Sequence, residues 1–383
     1  VYGYLPYWTV DVAEVPWEHL THLAIFNVSL NSDGTLSDTS RWTSVAAEAV
    51  ALGRETGVKV HVCITSFDSD EMSAVLASAD RRATTIEALG QLVDAYGADG
   101  VNVDFEGLPS SRKADMVTFI RDLKARVGEV VLATPAVDWS GAWDYSELAA
   151  SSDGLFIMGY GYHWTGGNPG PNAPLYDGDL WSQWTLSWSV ADYLANGAPA
   201  DKIILGLPTY GQEWPVHDGA DVPTTATGDG WSVTYADAVA DAAIYGRGYD
   251  TVSDTPWYSR DTSRQAWYDD ATSLAVKMQW AVDQGLAGFG FWAIGYDGED
   301  PTFWAAVDAA SHVPGEDTGG GGDTDGGDTD SEDTDGGDTD GDSRPTRPGQ
   351  AEVVDEGAGC SSGGVSFYGA WLLGFALTLS RRR

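Results

Sequence analysis

The sequence predicts an α/β fold, a (β/α)8 TIM barrel over residues 1–312 with a small insertion between its seventh and eighth strands. Three observations predict it. Short apolar, β-rich runs recur eight times and alternate with amphipathic stretches. Several of those runs are hydrophobic without alternation, as parallel strands covered on both faces must be. A hydrophobic content of 43% over the whole chain, together with a segment of this length before the composition breaks, can fill one large core, near the upper size for a single domain. A doubly wound open sheet is the alternative architecture, but no Gly-x-Gly-x-x-Gly follows the first strand.

In chain order the strands read as residues 1–7, 22–28, 58–65, 100–105, 130–134, 154–160, 202–207 and 288–293. Residues 43–52, 83–96, 112–127 and 273–284 each carry one apolar stripe at helical spacing and read as covering helices. The stretch from Gly211 to Gly285 is too long for one helix and one loop. Within it, residues 255–258 and 265–269 are aromatic runs that read as strands of an insertion on the barrel's C-terminal face, where inserted material shapes an active-site cleft.

The composition breaks after residue 312. Residues 313–359 form an acidic Gly/Asp/Thr segment in which Gly-Gly-Asp-Thr-Asp recurs at 321, 326 and 336. Such a chain has nothing to bury and repels itself, so the expectation is a disordered linker of about 45 residues spanning roughly 35–40 Å. Calcium binding by its Asp residues is disfavoured, since no 12-residue loop ends in a bidentate Glu. Residues 360–383 hold Cys360, an uncharged run from Ser361 to Ser380 and three terminal Arg residues. Twenty uncharged residues just cross about 30 Å of hydrocarbon, and the Arg cluster would keep that end inside and the rest of the chain outside. The layout resembles the myxobacterial type of C-terminal surface-sorting tail, which implies an extracellular protein anchored to the cell surface through its tail, with a membrane as one partner. Val1 opens directly into an apolar run and is read as a processed or trimmed start.

Charge narrows the function classes. The chain has 58 Asp and Glu against 20 Lys and Arg, a net charge of -38. Residues 1–315 alone carry 43 acids and 15 bases, so binding to nucleic acid through bulk charge is excluded. Two cysteines, Cys63 and Cys360, are too few for a disulfide framework or a four-cysteine zinc site. His163 has no second His or Cys at metal spacing and reads as structural, and Cys63, in mid-strand, reads as a small buried hydrophobe. No metal and no cofactor is expected.

The most informative stretch is Asp99-Gly100-Val101-Asn102-Val103-Asp104-Phe105-Glu106. On a strand, Asn102, Asp104 and Glu106 share one face while Val101, Val103 and Phe105 share the other. The polar face would line the barrel interior, with Glu106 nearest the C-terminal rim, and the apolar flanks argue against a solvated edge strand. Asp104 and Glu106 would stand roughly 6–7 Å apart along the backbone, within side-chain hydrogen-bonding reach. Two carboxylates in one site do not both ionise easily, so one stays protonated near neutral pH and can serve as a general acid.

The octet resembles the D-x-x-D-x-D-x-E signature of the family 18 glycoside hydrolases, the chitinase-like family, and other stretches fall in the family's order. Tyr2-Gly3-Tyr4-Leu5-Pro6-Tyr7-Trp8 resembles its first strand, Met158-Gly159-Tyr160-Gly161 its M-x-Y-D element, residues 202–211 its seventh strand and Gly288-Phe289-Gly290-Phe291-Trp292-Ala293 its eighth. The resemblance implies a retaining, substrate-assisted hydrolase of β-linked N-acetylglucosamine in chitin or peptidoglycan. It implies Glu106 as the acid/base, Asp104 as the carboxylate that orients the substrate's 2-acetamido group, and Tyr160 as the hydroxyl that holds the acetamido oxygen. Trp292 is implied as the floor under the reacting sugar. Met158, Tyr210, Trp8, Asn102 and Trp164 complete the expected substrate-binding set, and Trp139 and Trp214 also follow strand ends where a sugar groove would form.

Two positions depart from the pattern. Asn102 replaces the middle Asp of many members, as in the spore-cortex and peptidoglycan-directed branch, and Gly161 replaces the Asp of M-x-Y-D. Both changes are expected to shift rate or pH optimum more than to abolish chemistry. The competing function on the same barrel is non-catalytic glycan binding at the cell surface, and the presence of Glu106 weighs against it. The expected partner is a polysaccharide, and the expected state is a monomer.

Overall fold

The computed structural model describes residues 1–311. The linker and tail expectations for residues 313–359 and 360–383 lie outside the described residues. Among the described residues no helix is long and apolar enough to cross a membrane.

Among the described residues fourteen strands are present, in two sheets. In chain order they are β1 (Tyr2–Pro6), β2 (His22–Leu30), β3 (Leu36–Ser37), β4 (Lys59–Ser66), β5 (Gly100–Phe105), β6 (Glu129–Pro135), β7 (Gly154–Met158), β8 (Ile203–Pro208), β9 (Tyr210–Pro215), β10 (Trp231–Thr234), β11 (Gly248–Asp250), β12 (Thr255–Arg260), β13 (Arg264–Trp267) and β14 (Gly288–Trp292). Eight of them run parallel in the order β1-β14-β8-β7-β6-β5-β4-β2, and β2 pairs back onto β1, so the sheet closes into the expected barrel. The short β3 adds antiparallel to β2 at the rim.

Period-two alternation sorts each barrel strand into two cores. Val101, Val103 and Phe105 face the outer helices, where Phe105 stacks on Phe119 at 5.8 Å between ring centres. A smaller interior core is built from Tyr2, Tyr4, Phe26, Cys63, Val131, Phe156 and Trp292. The helices form for local reasons and stay for packing reasons. Ala79–Tyr96 starts with the Ser78 hydroxyl accepting from the Arg81 amide and stops at Gly97, whose φ of 67° suits glycine. Lys113–Val127 buries Met116, Phe119, Ile120, Leu123 and Val127, one stripe of its surface.

Strand boundaries agree with the sequence reading to within about two residues, the usual uncertainty of element ends. One helix does not agree. Residues 43–52, expected as a single helix, are split between Thr39–Thr43 and Ala46–Thr56. Tertiary contacts hold the first piece: the Arg41 guanidinium donates to Asn27 Oδ1 at 2.8 Å and lies 4.1 Å over the Tyr7 ring.

The insertion between the last two barrel strands is a five-stranded antiparallel sheet of order β10-β9-β13-β12-β11, with the helix Tyr235–Tyr245 packed on it. Its centre is polar as well as aromatic. Glu213, fully buried, accepts from Arg264 at 3.2 Å and from Tyr258 at 3.3 Å. Trp214, Trp181 and Trp267 form a separate cluster beside it. A buried ion pair ties the insertion to the barrel. Lys277, on the helix Ala271–Asp283, bonds to Asp269 just past β13 and to Thr255 of β12. Burial outweighs the Lys277 ammonium and pushes the Asp269 carboxyl up to about 6.

Removing one partner of such a pair strands a charge in the interior. Lys277→Met is therefore expected to lower unfolding free energy by about 3–5 kcal/mol, measured by denaturant melts. The double variant Lys277→Met/Asp269→Leu should recover most of the loss; a double variant as unstable as the single one would show that the site needs its charge.

Candidate active site

The site is built on β5. Its inward side chains climb toward the C-terminal mouth, with Asn102 at 0% exposure, Asp104 at 3% and Glu106, one residue past the strand, at 7%. The Glu106 amide still donates to Ser66 O at 2.9 Å, so the strand geometry carries through to the residue. Burial raises the Asp104 carboxyl above the carboxylate range. Glu106 is raised further, by burial and by the negative charge of Asp104. Because Glu106 bears both effects, it is the member of the pair that keeps its proton near neutral pH.

The direct hydrogen bond expected between these two carboxyls is not formed, and they act on each other through space. Asp104 Oδ1 and Glu106 Oε1 are both buried and have no hydrogen-bond partner among the described residues. Oxygens in that state cost about 1–3 kcal/mol each, and buried groups left unsatisfied concentrate where a function requires them.

Tyr160 follows the end of β7 by two residues and is half-buried. Burial, Tyr210 and both carboxylates raise its hydroxyl, and its ring packs on the interior cluster at the same end of the barrel. The Tyr210 ring meets Tyr160 at 5.9 Å, nearly edge-on. Trp292 ends β14 and packs against Phe26 at 4.9 Å, Tyr4 at 5.8 Å and Trp8 at 6.3 Å. Trp8 is fixed in turn by donating from Nε1 to the Tyr296 hydroxyl at 2.8 Å. Met158, the last residue of β7, packs on the same interior cluster. Thus Glu106, Asp104, Tyr160, Trp292, Met158, Tyr210 and Trp8 are brought to one end of the barrel.

Two expected members stand elsewhere. Asn102 lies one layer deeper, with its amide donating to the Tyr4 hydroxyl at 2.8 Å and its oxygen accepting from Cys63 Sγ at 3.3 Å. Its place is under the carboxylates, inside the barrel. Trp164 is on the loop after β7, 37% exposed, and its carbonyl accepts from Trp214 Nε1 at 3.2 Å, joining that loop to the insertion. Trp214 is fully buried in the insertion, and Trp139 is 62% exposed against Trp184. His163 packs edge-on against Trp181. A surface cleft of about 570 Å³ lined by Val10, Glu14, His19, Asp297 and Trp304 includes none of the site residues.

Two residues that the sequence did not single out hold the site together. Thr209, between β8 and β9, donates its amide to Trp292 O at 2.9 Å, and its hydroxyl both accepts from Ala293 N and donates to Ala293 O at 2.7 Å. It therefore clamps the backbone on both sides of the Trp292 peptide. Asn172, fully buried, accepts from Gly161 N at 3.0 Å and donates to Tyr210 O at 3.1 Å, fixing the loop that carries Tyr160. Gly161 has a φ of 78°, a conformation that favours glycine, which gives its departure from the M-x-Y-D pattern a backbone reason.

Comparison with known proteins supplies the context. The family model for glycosyl hydrolases family 18 matches residues 1–297. Among curated relatives, the cortical fragment-lytic enzyme of Bacillus anthracis is 26% identical over 302 residues, 72% of this chain and 65% of that protein. Chitinase 63 of Streptomyces plicatus is 28% identical over 234 residues, 55% of this chain and 38% of that protein. The chain thus spans less than two thirds of the length of these relatives. Among solved structures, the chitinase-like agglutinin of Robinia pseudoacacia superposes with a TM-score of 0.74 at 21% identity, covering 81% of this chain and 98% of that one.

The raised carboxyl of Glu106 has a stability consequence of definite sign. Below the ordinary glutamate value of 4.5 the side chain is neutral in both folded and unfolded chains. Above that value the unfolded chain ionises first, and native stability falls until the folded pKa is passed. Glu106→Gln removes this penalty. Its Tm should exceed that of the wild type at neutral pH, with the gap closing below pH 4.5; a gap that widens in acid would contradict the assigned direction.

Proposed function

The chain belongs to glycosyl hydrolases family 18, and from that premise we propose that it hydrolyses β-linked N-acetylglucosamine glycosides, in chitin or in peptidoglycan, with retention of configuration. The observation that carries the reading is the buried pair of carboxyls, Glu106 at the mouth above Asp104, each raised by burial and each with an oxygen that has no hydrogen-bond partner among the described residues, with Tyr160 at the same end of the barrel. The names of relatives, a cortical fragment-lytic enzyme and a chitinase, support the two substrate classes.

The chemistry follows from these positions. Glu106 gives its proton to the glycosidic oxygen as the bond from that oxygen to the anomeric carbon breaks. The carbonyl oxygen of the substrate's own 2-acetamido group attacks the anomeric carbon from the opposite face, closing a five-membered oxazolinium ring. Asp104 accepts the acetamido N–H and offsets the positive charge that develops there, while the Tyr160 hydroxyl holds the acetamido oxygen in line. Ionised Glu106 then takes a proton from water, whose oxygen attacks the same carbon and opens the ring. Two inversions leave the β anomer. Trp292, with Trp8 and Tyr210 beside it, supplies an apolar platform for the sugar ring. Asn102 acts from below: in place of a third carboxylate it puts a neutral amide under Asp104, which removes one repulsive charge from the pair.

The deciding experiment is product analysis by mass spectrometry and anomer-resolved NMR on chitin oligomers and on purified peptidoglycan. Release of β-configured products, inhibition by a thiazoline mimic of the cyclised intermediate, and inertness of plain β-glucosides are expected. Glu106→Gln should lower kcat by about 10²–10⁴-fold with sugar binding retained. Rapid cleavage of glucosides would remove the substrate-assisted route, and full activity in Glu106→Gln would remove the site. Binding of oligomers by the wild type with no turnover would establish the rival, a non-catalytic glycan-binding barrel.

Surface display through residues 360–383 is part of the same proposal, motivated by Cys360, the uncharged run and the Arg cluster. Attachment through this segment would keep the enzyme at high effective concentration beside an insoluble polymer. Fractionation of cells making the full chain should find it at the surface and outward-facing, with Cys360→Ala released or mislocalised. Cytoplasmic recovery of both forms would overturn the assignment.

A further inference from the structure

At the N-terminal end of the barrel, opposite the carboxylates of β5, a second polar cluster lines the interior. His61 on β4 pairs in register with Gly100 on β5, and Gly100 pairs with Glu129 on β6. Glycine leaves this row open at its centre: a Cβ built at Gly100 would fall 2.3 Å from Glu129 O and 2.9 Å from Glu129 Cβ. His61 and Glu129 meet across the row, with His61 Nε2 at 3.5 Å from Glu129 Oε1. His22, the first residue of β2, brings its Nε2 to 2.9 Å from the same oxygen. All three ligand atoms lie within 4.8 Å of one another.

The surrounding hydrogen bonds decide which atoms are left for a ligand. Thr21 Oγ1 lies 2.8 Å from Val1 O and 2.9 Å from His22 Nδ1, an arrangement in which the hydroxyl donates to the carbonyl and accepts from Nδ1–H. A neutral His22 ring then carries its lone pair on Nε2, aimed at a carboxylate oxygen that has only lone pairs. His61 Nδ1 is engaged by the Tyr2 hydroxyl at 3.0 Å. Its Nε2 is buried, belongs to a side chain with 0% exposure, and has no hydrogen-bond partner among the described residues. Lys59 Nζ holds the other carboxylate oxygen, Glu129 Oε2, at 2.6 Å, which restricts Glu129 to one free oxygen. Two imidazole nitrogens and one carboxylate oxygen therefore converge, each ring oriented through its far nitrogen by a hydroxyl, as ligating histidines are.

We propose that His22 Nε2, His61 Nε2 and Glu129 Oε1 bind one Zn²⁺ ion, with water in the fourth position on the side of His22, whose ring is 25% exposed. Tetrahedral zinc with bonds of about 2.0–2.2 Å needs ligand atoms roughly 3.3–3.5 Å apart, and the separations to Glu129 of 2.9 and 3.5 Å lie close to that range. Two imidazoles and one monodentate carboxylate suit zinc and leave too few oxygens for calcium or magnesium. The site is at the barrel end where residues serve stability, and it joins β2, β4 and β6, so the ion acts as a staple with no part in the reaction. Its ligands come from three strands distant in sequence, which is why no short spacing motif announces it.

The test uses the full chain, stripped with EDTA and titrated with ZnCl₂ in a calorimeter. One Zn²⁺ per chain is expected, with Tm raised by about 5 °C at 100-fold excess over Kd and no rise with MgCl₂ or CaCl₂ at equal concentration. Co²⁺ should give the intense visible bands of a tetrahedral site. His22→Ala, at the partly exposed edge and so compatible with folding, should abolish the Tm shift and the Co²⁺ bands. Thr21→Val, which keeps all three ligands, should weaken zinc about 10- to 100-fold. Zinc uptake unchanged in His22→Ala would place the ion elsewhere in the chain and overturn the proposal. Absence of uptake by the wild type at millimolar zinc would overturn it as well.

Discussion

The geometry rests on one constraint, the strict alternation of side chains along β5 inside a closed sheet. Closure leaves each barrel strand two surroundings, the helix layer and the interior. Val101, Val103 and Phe105 take the first, so Asn102, Asp104 and Glu106 have to take the second. The outward residues bring the transfer free energy of buried apolar side chains, about 1.5–3 kcal/mol each. That gain is what holds carboxyls where water alone would not leave them. A slip of one residue in the β4–β5 or β5–β6 register would exchange the two faces and cost both the packing and the site.

The interior so enclosed is unusually polar along its axis. Below Asp104 lie Asn102 with Tyr4 and Cys63, then Tyr2, then His61 with His22 and Glu129. Most of these atoms are paired, and the exceptions are informative. They are Asp104 Oδ1 and Glu106 Oε1 at the mouth and His61 Nε2 at the base. A barrel packed only for stability would place branched aliphatic residues in these layers. Aromatic rings instead fill the layer between the two polar ends, with Phe156 against both Tyr2 and Tyr4.

Much of this was legible in the sequence because it is encoded locally. Runs such as the one leading into Asp104 announce a doubly covered strand, and the period of two assigns Asp104 and Glu106 to one face without knowledge of the fold. What escaped is encoded at a distance. In the insertion, β9 contains the buried Glu213, whose partners Arg264 and Tyr258 come from far along the chain. Asn102 looked like part of the sugar-binding face, since alternation gives direction but not depth. Thr209 bonds to backbone atoms 84 residues away, and a threonine after a strand has no sequence pattern of its own. The deep placement of Trp214 follows from the insertion's sheet, whose strands the residue types only half disclosed.

The junction at Thr209 bears on how this scaffold can change over evolution or in the laboratory. One residue separates the barrel strand β8 from β9, and that residue also grips the peptide after Trp292. The insertion is therefore a direct outgrowth of the wall, and its inner edge shares its backbone with the strand end that carries Trp292. Exchange of whole insertions between related barrels would have to keep the seam from Pro208 to Tyr210 native and make its cuts farther out, in the loops beyond β9. Novelty in such a protein is confined to the outer rim, while the first few ångströms above the carboxylates stay inherited.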